Sequence, residues 1–324
     1  MNSQKKVLIV LTSVDKFPSG KPTGWYISEA VHPYNEFVKA GFAVDFASIS
    51  GGATVDPGSL PGDEECQKFW ADDELRAKTV NAPALATVDS SAYDALFFAA
   101  GFGVMWDFCG TASNDWAGDA TAMELVRTMY ESGKPVGAVC HGPIVLVEVK
   151  LSDGSYLVDG KKIAGFTNGE EDAAGNRAEV EQPAGPGTTE DRLKARGAQH
   201  MPAANWSVNV QQDGLLFTGQ NPQSASPLAA HMAVHMASPP TTVAMAEVPE
   251  AMAAEAPSAK MAGAQAEEQL RKDAARVEKI ALLKTHWFYG TTALQPQLWM
   301  KGGVRGKIER QQMKMESRSV ASAA

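Results

Sequence analysis

Val136-Gly137-Ala138-Val139-Cys140-His141-Gly142-Pro143 is followed directly by the apolar run Ile144-Val145-Leu146-Val147. A short apolar strand enters, a turn of small residues carries a thiol, and a helix is expected to leave, with Pro143 suited to its first turn. This is the pattern of a nucleophile elbow, in which a tight strand-to-helix turn lifts a reactive side chain to the carboxyl end of a parallel sheet. The location predicts chemistry. Helix N-terminal N–H groups favour a thiolate over a thiol, so the reading expects a lowered Cys140 pKa and a nucleophile, with His141 beside it as proton shuttle. Judged by spacing alone, His141 could equally be a histidine satisfied by a backbone carbonyl, because neighbours on a sharp turn need not face each other.

Working outward, the chain alternates strands with helices. Lys6 to Ser13 is a continuous apolar run with β-branched members, as expected of a strand buried on both faces. A helix is predicted from about Ser28 to Ala40, capped by Ser28 and stopped at Gly41. Strands follow at Ala43 to Ile49 and Ala95 to Ala100, then a helix from about Asp115 to Glu131 and the strand Pro135 to Val139. Further strands are predicted at Lys161 to Thr167 and Leu215 to Thr218, around a Gly/Pro/Glu-rich excursion at 169 to 190. Such βαβ alternation predicts an α/β fold with a doubly wound, mainly parallel sheet and helices on both faces.

Composition bounds the function. The 324 residues are 44% hydrophobic and 21% charged, enough for a sizeable core. The longest apolar runs are too short to span a bilayer, so neither a membrane span nor a signal peptide is expected. Three cysteines cannot make a disulfide framework, which points to a reducing, cytoplasmic setting. Net charge is −9, divided into −14 for residues 1 to 265 and +5 for residues 266 to 324. An acidic body is unsuited to a phosphate backbone, and nucleic acid is not expected as a partner.

Three segments emerge: a body at 1–230, an Ala/Met/Pro-rich linker at 231–265 and a basic tail at 266–324 with helical spacing from Leu270 to Lys284. Tail aromatics Trp287, Phe288, Tyr289 and Trp299 offer anchors of unassigned purpose. Gly101-x-Gly103 lacks the third glycine of a dinucleotide fingerprint, Trp106 standing there. Glu29-x-x-His32 could set two metal ligands on one helical face, but Pro33 and the absence of a nearby third ligand argue against it. His231 and His235 read as a chance pair, and Cys66 and Cys109 as ordinary buried thiols.

Five blocks together resemble a known family: Ala138 to Pro143; Gly24 with Ser28 to Tyr34; Val44 to Ser48; Ala164 to Glu171; and Thr218-Gly219-Gln220-Asn221-Pro222. Taken in chain order, over about residues 5 to 230, they resemble the DJ-1/PfpI superfamily, and within it the Hsp31-like, glutathione-independent glyoxalase III group. The resemblance implies a flavodoxin-like α/β sandwich, often dimeric, acting on a small dicarbonyl without cofactor or metal. It implies Cys140 as nucleophile, His141 as its histidine, and Glu29 as a protonated acid donating to the sulfur. Glu171 is implied as the third triad member, with Glu170 as the alternative. Gly103 and His141 are the implied oxyanion N–H donors. Phe102 stands where many members carry histidine, so substrate orientation is expected to differ. The implied activity is conversion of methylglyoxal and water to lactate, a lyase reaction of the D-lactate dehydratase type. Two rivals use the same cysteine differently: a stress-induced holdase chaperone or redox sensor, and a peptidase or amidase.

Overall fold

The computed structural model describes residues 4–181 and 185–237. In chain order its elements are β1 (Lys6–Leu11), α1 (Ile27–Lys39), β2 (Ala43–Ser48), α2 (Glu64–Ala71), α3 (Asp73–Val80), β3 (Ala95–Phe98), α4 (Ala120–Glu131) and β4 (Val136–Val139). Then come β5 (Lys162–Ile163), α5 (Asn168–Ala174), α6 (Arg177–Val180), α7 (Thr189–Ala195), β6 (Gln199–His200), β7 (Val210–Asp213), β8 (Leu216–Gly219) and α8 (Ala225–Ala237).

Six strands form one sheet in the order β2-β1-β3-β4-β8-β7, parallel except for the antiparallel edge strand β7. β5 and β6 make a separate two-stranded ribbon. The α/β reading is met, and its physical basis is visible in β1, β3 and β4. Every residue from Val7 to Leu11, Ala95 to Phe98 and Val136 to Val139 is buried, as a parallel sheet covered on both faces requires. Among the described residues no helix is long and apolar enough to cross a membrane.

Several boundaries differ from expectation. α1 begins at Ile27 after Tyr26, so Ser28 lies inside the first turn and caps nothing. α4 starts at Ala120, where Asp119 accepts from the Ala122 N–H, while residues 112–114 form only a 3-10 turn. The predicted strand from Lys161 to Thr167 shrinks to β5, because beyond Ile163 the chain turns toward the elbow and Phe166 N–H bonds the Cys140 carbonyl at 2.8 Å. The excursion at 169 to 190 contains α5, α6 and the start of α7. After Cys140 comes a 3-10 segment, Gly142–Leu146, rather than an α-helix.

The body also extends past the expected limit at 230. α8 continues to Ala237 and buries Met232, Ala233 and Met236. Gly137 shows why: a Cβ there would lie 2.3 Å from the Met232 sulfur, so the glycine lets α8 pack directly on β4. His231 and His235 both meet the Phe217 ring edge-on, at 5.4 and 5.2 Å. Their spacing is therefore no accident but part of the helix packing. The predicted tail helix and tail aromatics lie outside the described residues.

Candidate active site

Cys140 follows β4 directly with φ +60°, a left-handed conformation that costs an L-residue energy and is sustained by its surroundings. Two backbone bonds clamp it: its N–H reaches the Gly219 carbonyl at 2.9 Å, and its carbonyl accepts from Phe166. The turn thereby places Sγ and the His141 ring on the same side. Sγ lies 3.3 Å from His141 Nδ1.

On the far side of the ring, Nε2 lies 2.7 Å from Glu171 Oε1. A carboxylate only accepts, so Nε2 carries the proton and the Nδ1 lone pair faces the thiol. Both side chains are buried. Phe102 and Phe166 flank the imidazole with ring centroids 4.4 and 4.2 Å away, which limits its rotation. Phe102 thus holds the ring from one side and presents no polar atom to the cavity.

The two adjacent glutamates separate cleanly. Glu170 sits in a capping box with Thr167 and accepts from the Thr167 N–H and hydroxyl, the Trp206 N–H, Gln220 Nε2 and Asn221 Nδ2, at 2.8 to 3.1 Å. It ties α5 to the loops around β8. Glu171, one residue along the same helical turn, points to His141 instead.

Glu29 comes from the first turn of α1. Gly101, at φ +135°, makes this approach possible, since a Cβ there would stand 2.4 Å from the Gly24 carbonyl oxygen. The adjoining bond from Tyr26 N–H to the Ala100 carbonyl, 2.6 Å, docks the start of α1 against the end of β3. Burial pushes the Glu29 carboxyl up to about 8, against hydrogen bonding with the Cys140 sulfur and the Ala100 backbone, with the Glu170 charge adding to the rise. Among the described residues neither Glu29 oxygen has a partner of ordinary hydrogen-bond geometry.

The expected lowering of the Cys140 pKa is not found. Burial pushes the thiol up, a charged Glu29 pushes it further, and the His141 backbone N–H pulls only partly the other way. A five-residue 3-10 segment offers less dipole than the α-helix the sequence suggested. Gly103 also departs from expectation. Its N–H bonds the Gly24 carbonyl at 3.3 Å and it faces Thr12, so it is not among the residues facing the cavity.

Cys140, His141, Glu29 and Phe102 open on a cavity of about 410 Å³. Tyr26, Phe166 and Trp206 add to its aromatic wall, and Lys21 and Asn176, bonded at 2.9 Å, form a polar edge. None of these five was singled out for the site from sequence. Phe166 stood inside a recognised block, and the others carried no local signal.

The DJ-1/PfpI family profile matches residues 24–233. The chain belongs to the DJ-1/PfpI family. Similar proteins include Glyoxalase 3 of Candida albicans, 31% identical over 229 residues, covering 68% of this chain and 93% of the relative. Glutathione-independent glyoxalase HSP31 of Saccharomyces cerevisiae is 33% identical over 232 residues, with the same coverage. Among solved structures, the Rapid Encystment Protein 24 KDa of Francisella tularensis superimposes with TM-score 0.66 at 34% identity, covering 72% of this chain and 99% of that one. Glyoxalase III from Candida albicans superimposes with TM-score 0.63 at 29% identity, covering 71% and 96%. The DJ-1/PfpI fold accounts for the flavodoxin-like sheet and for the ordered blocks noted in the sequence.

Of the other buried thiols, Cys109 is pushed up to about 11 by burial. Cys66 rises to about 12 through burial and its contact with Asp63. The suggested pairing of Glu29 with His32 does not form a site, because Glu29 turns to Cys140 while His32 Nε2 meets Asp63 at 2.8 Å.

Proposed function

We propose that this protein is a glutathione-independent glyoxalase of the III type, converting methylglyoxal and water to lactate. The single observation that carries this reading is the buried line Cys140 Sγ, His141 Nδ1, His141 Nε2, Glu171 Oε1, with steps of 3.3 and 2.7 Å, at the floor of a cavity sized for a small dicarbonyl. Relatives that are named glutathione-independent glyoxalases support it.

The chemistry follows from the protonation states. With its pKa raised, Cys140 rests as a thiol, so attack on the aldehyde carbon is coupled to transfer of the thiol proton to His141 Nδ1. Glu171 balances the imidazolium that forms. Glu29, protonated at neutral pH, gives a proton to the aldehyde oxygen as the hemithioacetal forms. The His141 backbone N–H, which bonds the Cys140 sulfur, is a donor beside the reacting centre.

The His141 proton passes to the Glu29 carboxylate, which makes the imidazole a base again. The imidazole then removes the hydrogen on the former aldehyde carbon while Glu29 protonates the ketone oxygen, giving an enediol. It returns that proton to the neighbouring carbon as the hydroxyl on the sulfur-bearing carbon gives its own proton back to Glu29. The aldehyde carbon is thereby oxidised to a thioester while the ketone is reduced to an alcohol, with no external electron acceptor. Water cleaves the thioester, releases lactate and restores the thiol. The cysteine supplies the sulfur that glutathione would otherwise bring. In the lyase classification this is a D-lactate dehydratase reaction.

Purified Cys140→Ala should fold and form no lactate from methylglyoxal above the uncatalysed rate. Lactate formation at the parent's rate would overturn the reading, and retained client protection without aldehyde turnover would favour the holdase alternative.

A further inference from the structure

We propose that His32, Asp63 and Cys66 form a binding site for one divalent transition-metal ion of the zinc type, separate from the reacting centre. This proposal stands independently of the glyoxalase reading.

One ligand atom from each residue lies within 4.8 Å of the other two. The atoms converge on a single nitrogen. His32 Nε2 is 3.7 Å from Cys66 Sγ and 2.8 Å from Asp63 Oδ2. A tetrahedral ion, with metal–sulfur bonds of about 2.3 Å and metal–nitrogen and metal–oxygen bonds of about 2.0 to 2.1 Å, separates its ligands by about 3.3 to 3.6 Å. The sulfur–nitrogen spacing is already close to this. The nitrogen–oxygen spacing must open by about half an ångström, which Asp63 can supply because its side chain is 54% exposed.

The ligands are held by the fold. Asp63 is the N-cap of α2, and its other oxygen, Oδ1, accepts from the Cys66 N–H at 3.0 Å, so one aspartate orients the thiol's backbone and offers an oxygen to the ion. Gly62 leaves room for the sulfur, since a Cβ there would lie 3.1 Å from Cys66 Sγ. His32 stands on α1, one turn beyond Glu29, so an ion would tie α1 to the start of α2. A thiol, an imidazole and a carboxylate are a borderline-soft donor set, suited to zinc and poorly suited to magnesium or calcium.

A second cavity, about 490 Å³, opens beside the cluster and is lined by His32, Asp63, Ser59 and Ser226. It leaves space for water as the fourth ligand. On binding, Cys66 releases its proton to solvent and coordinates as thiolate. Three protein ligands plus one exchangeable position resemble an open zinc site more than a closed structural one.

The test uses the full chain, stripped with chelator and titrated with Zn2+ and, for its spectrum, Co2+. The expected results are one ion per chain, a thiolate-to-Co2+ charge-transfer band, and a Tm that rises with Zn2+. Cys66→Ser and His32→Gln should each weaken Zn2+ binding by more than about 100-fold and abolish the Zn2+-dependent rise in Tm. His32→Gln is the second probe should Cys66→Ser fail to fold. Cys140→Ser should bind Zn2+ as the parent does. Failure to bind one equivalent, binding unchanged in both ligand variants, or binding lost in Cys140→Ser would each overturn the proposal.

Discussion

His141 and Glu171 meet through a 2.7 Å contact between two fully buried side chains. The contact sets the imidazole tautomer and supplies that ring with a carboxylate, whereas Glu170, its neighbour in sequence, is engaged by neutral donors. Their substitutions should therefore fail differently. Glu171→Gln keeps a hydrogen-bonding group but removes the charge that balances an imidazolium, so kcat should fall by about 10³-fold with a small change in Tm. Glu170→Gln sets an NH2 against groups that donate, which should cost about 1 to 3 kcal/mol of stability and much less of kcat. Steady-state kinetics on lactate formation and thermal melts of both variants check this, and the reverse pattern would reassign the triad acid.

Glu29 should make stability depend on pH. Its carboxyl titrates near 8 when folded and near 4.5 when unfolded. Between those values the folded state holds a proton that the unfolded state has lost, so stability present below pH 4.5 declines as pH rises through 8. The slope approaches about 1.4 kcal/mol per pH unit inside this window. Glu29→Gln cannot titrate, so its Tm relative to the parent should climb from about pH 5 to about pH 8 and level off above. A pH-independent difference between the two would show that the carboxyl is ordinary.

Phe102 touches the His141 ring but offers the cavity no hydrogen bond. Phe102→His introduces a polar group of similar shape facing the cavity. The expected outcome is a KM for methylglyoxal lowered several-fold, worth about 1 kcal/mol, with kcat changed little. An unchanged KM together with a collapsed kcat would mean that Phe102 acts through the posture of His141.

Two truncations define where the folded body ends. A chain ending at Ala237 keeps α8 and every group assigned to the reaction, so folding and turnover should persist. A chain ending at residue 230 loses Met232 and Met236, both buried, and should be destabilised by about 3 to 5 kcal/mol. Urea unfolding and lactate assays on both chains decide it, and equal behaviour would show that the end of α8 is dispensable.

Much of the architecture was legible because parallel strands buried on both faces leave an unbroken apolar signature, as in Val7 to Leu11 and Ala95 to Phe98. The elbow thiol and its histidine were legible for a similar reason: strand, small-residue turn and proline are local in the chain. Local pattern also misled. Ser28 looked like a cap, but the docking of Tyr26 on Ala100 moves the cap two residues earlier. The Ala- and Met-rich composition near 230 looked like a linker, yet Gly137 leaves a groove that Met232 fills.

From the sequence alone came the alternation of strands and helices, the reactive turn, and a pair of adjacent glutamates of which one belonged to the site. Tertiary structure alone decided which glutamate reaches His141, that Gly103 faces away from the cavity, that the Cys140 proton is held more tightly than a helix dipole would suggest, and that Cys66 lies beside His32. The reason is range. Strand and turn signals arise between neighbours a few residues apart, whereas pKa values, ligand clusters and hydrogen-bond choices depend on burial and on groups some thirty residues away in the chain.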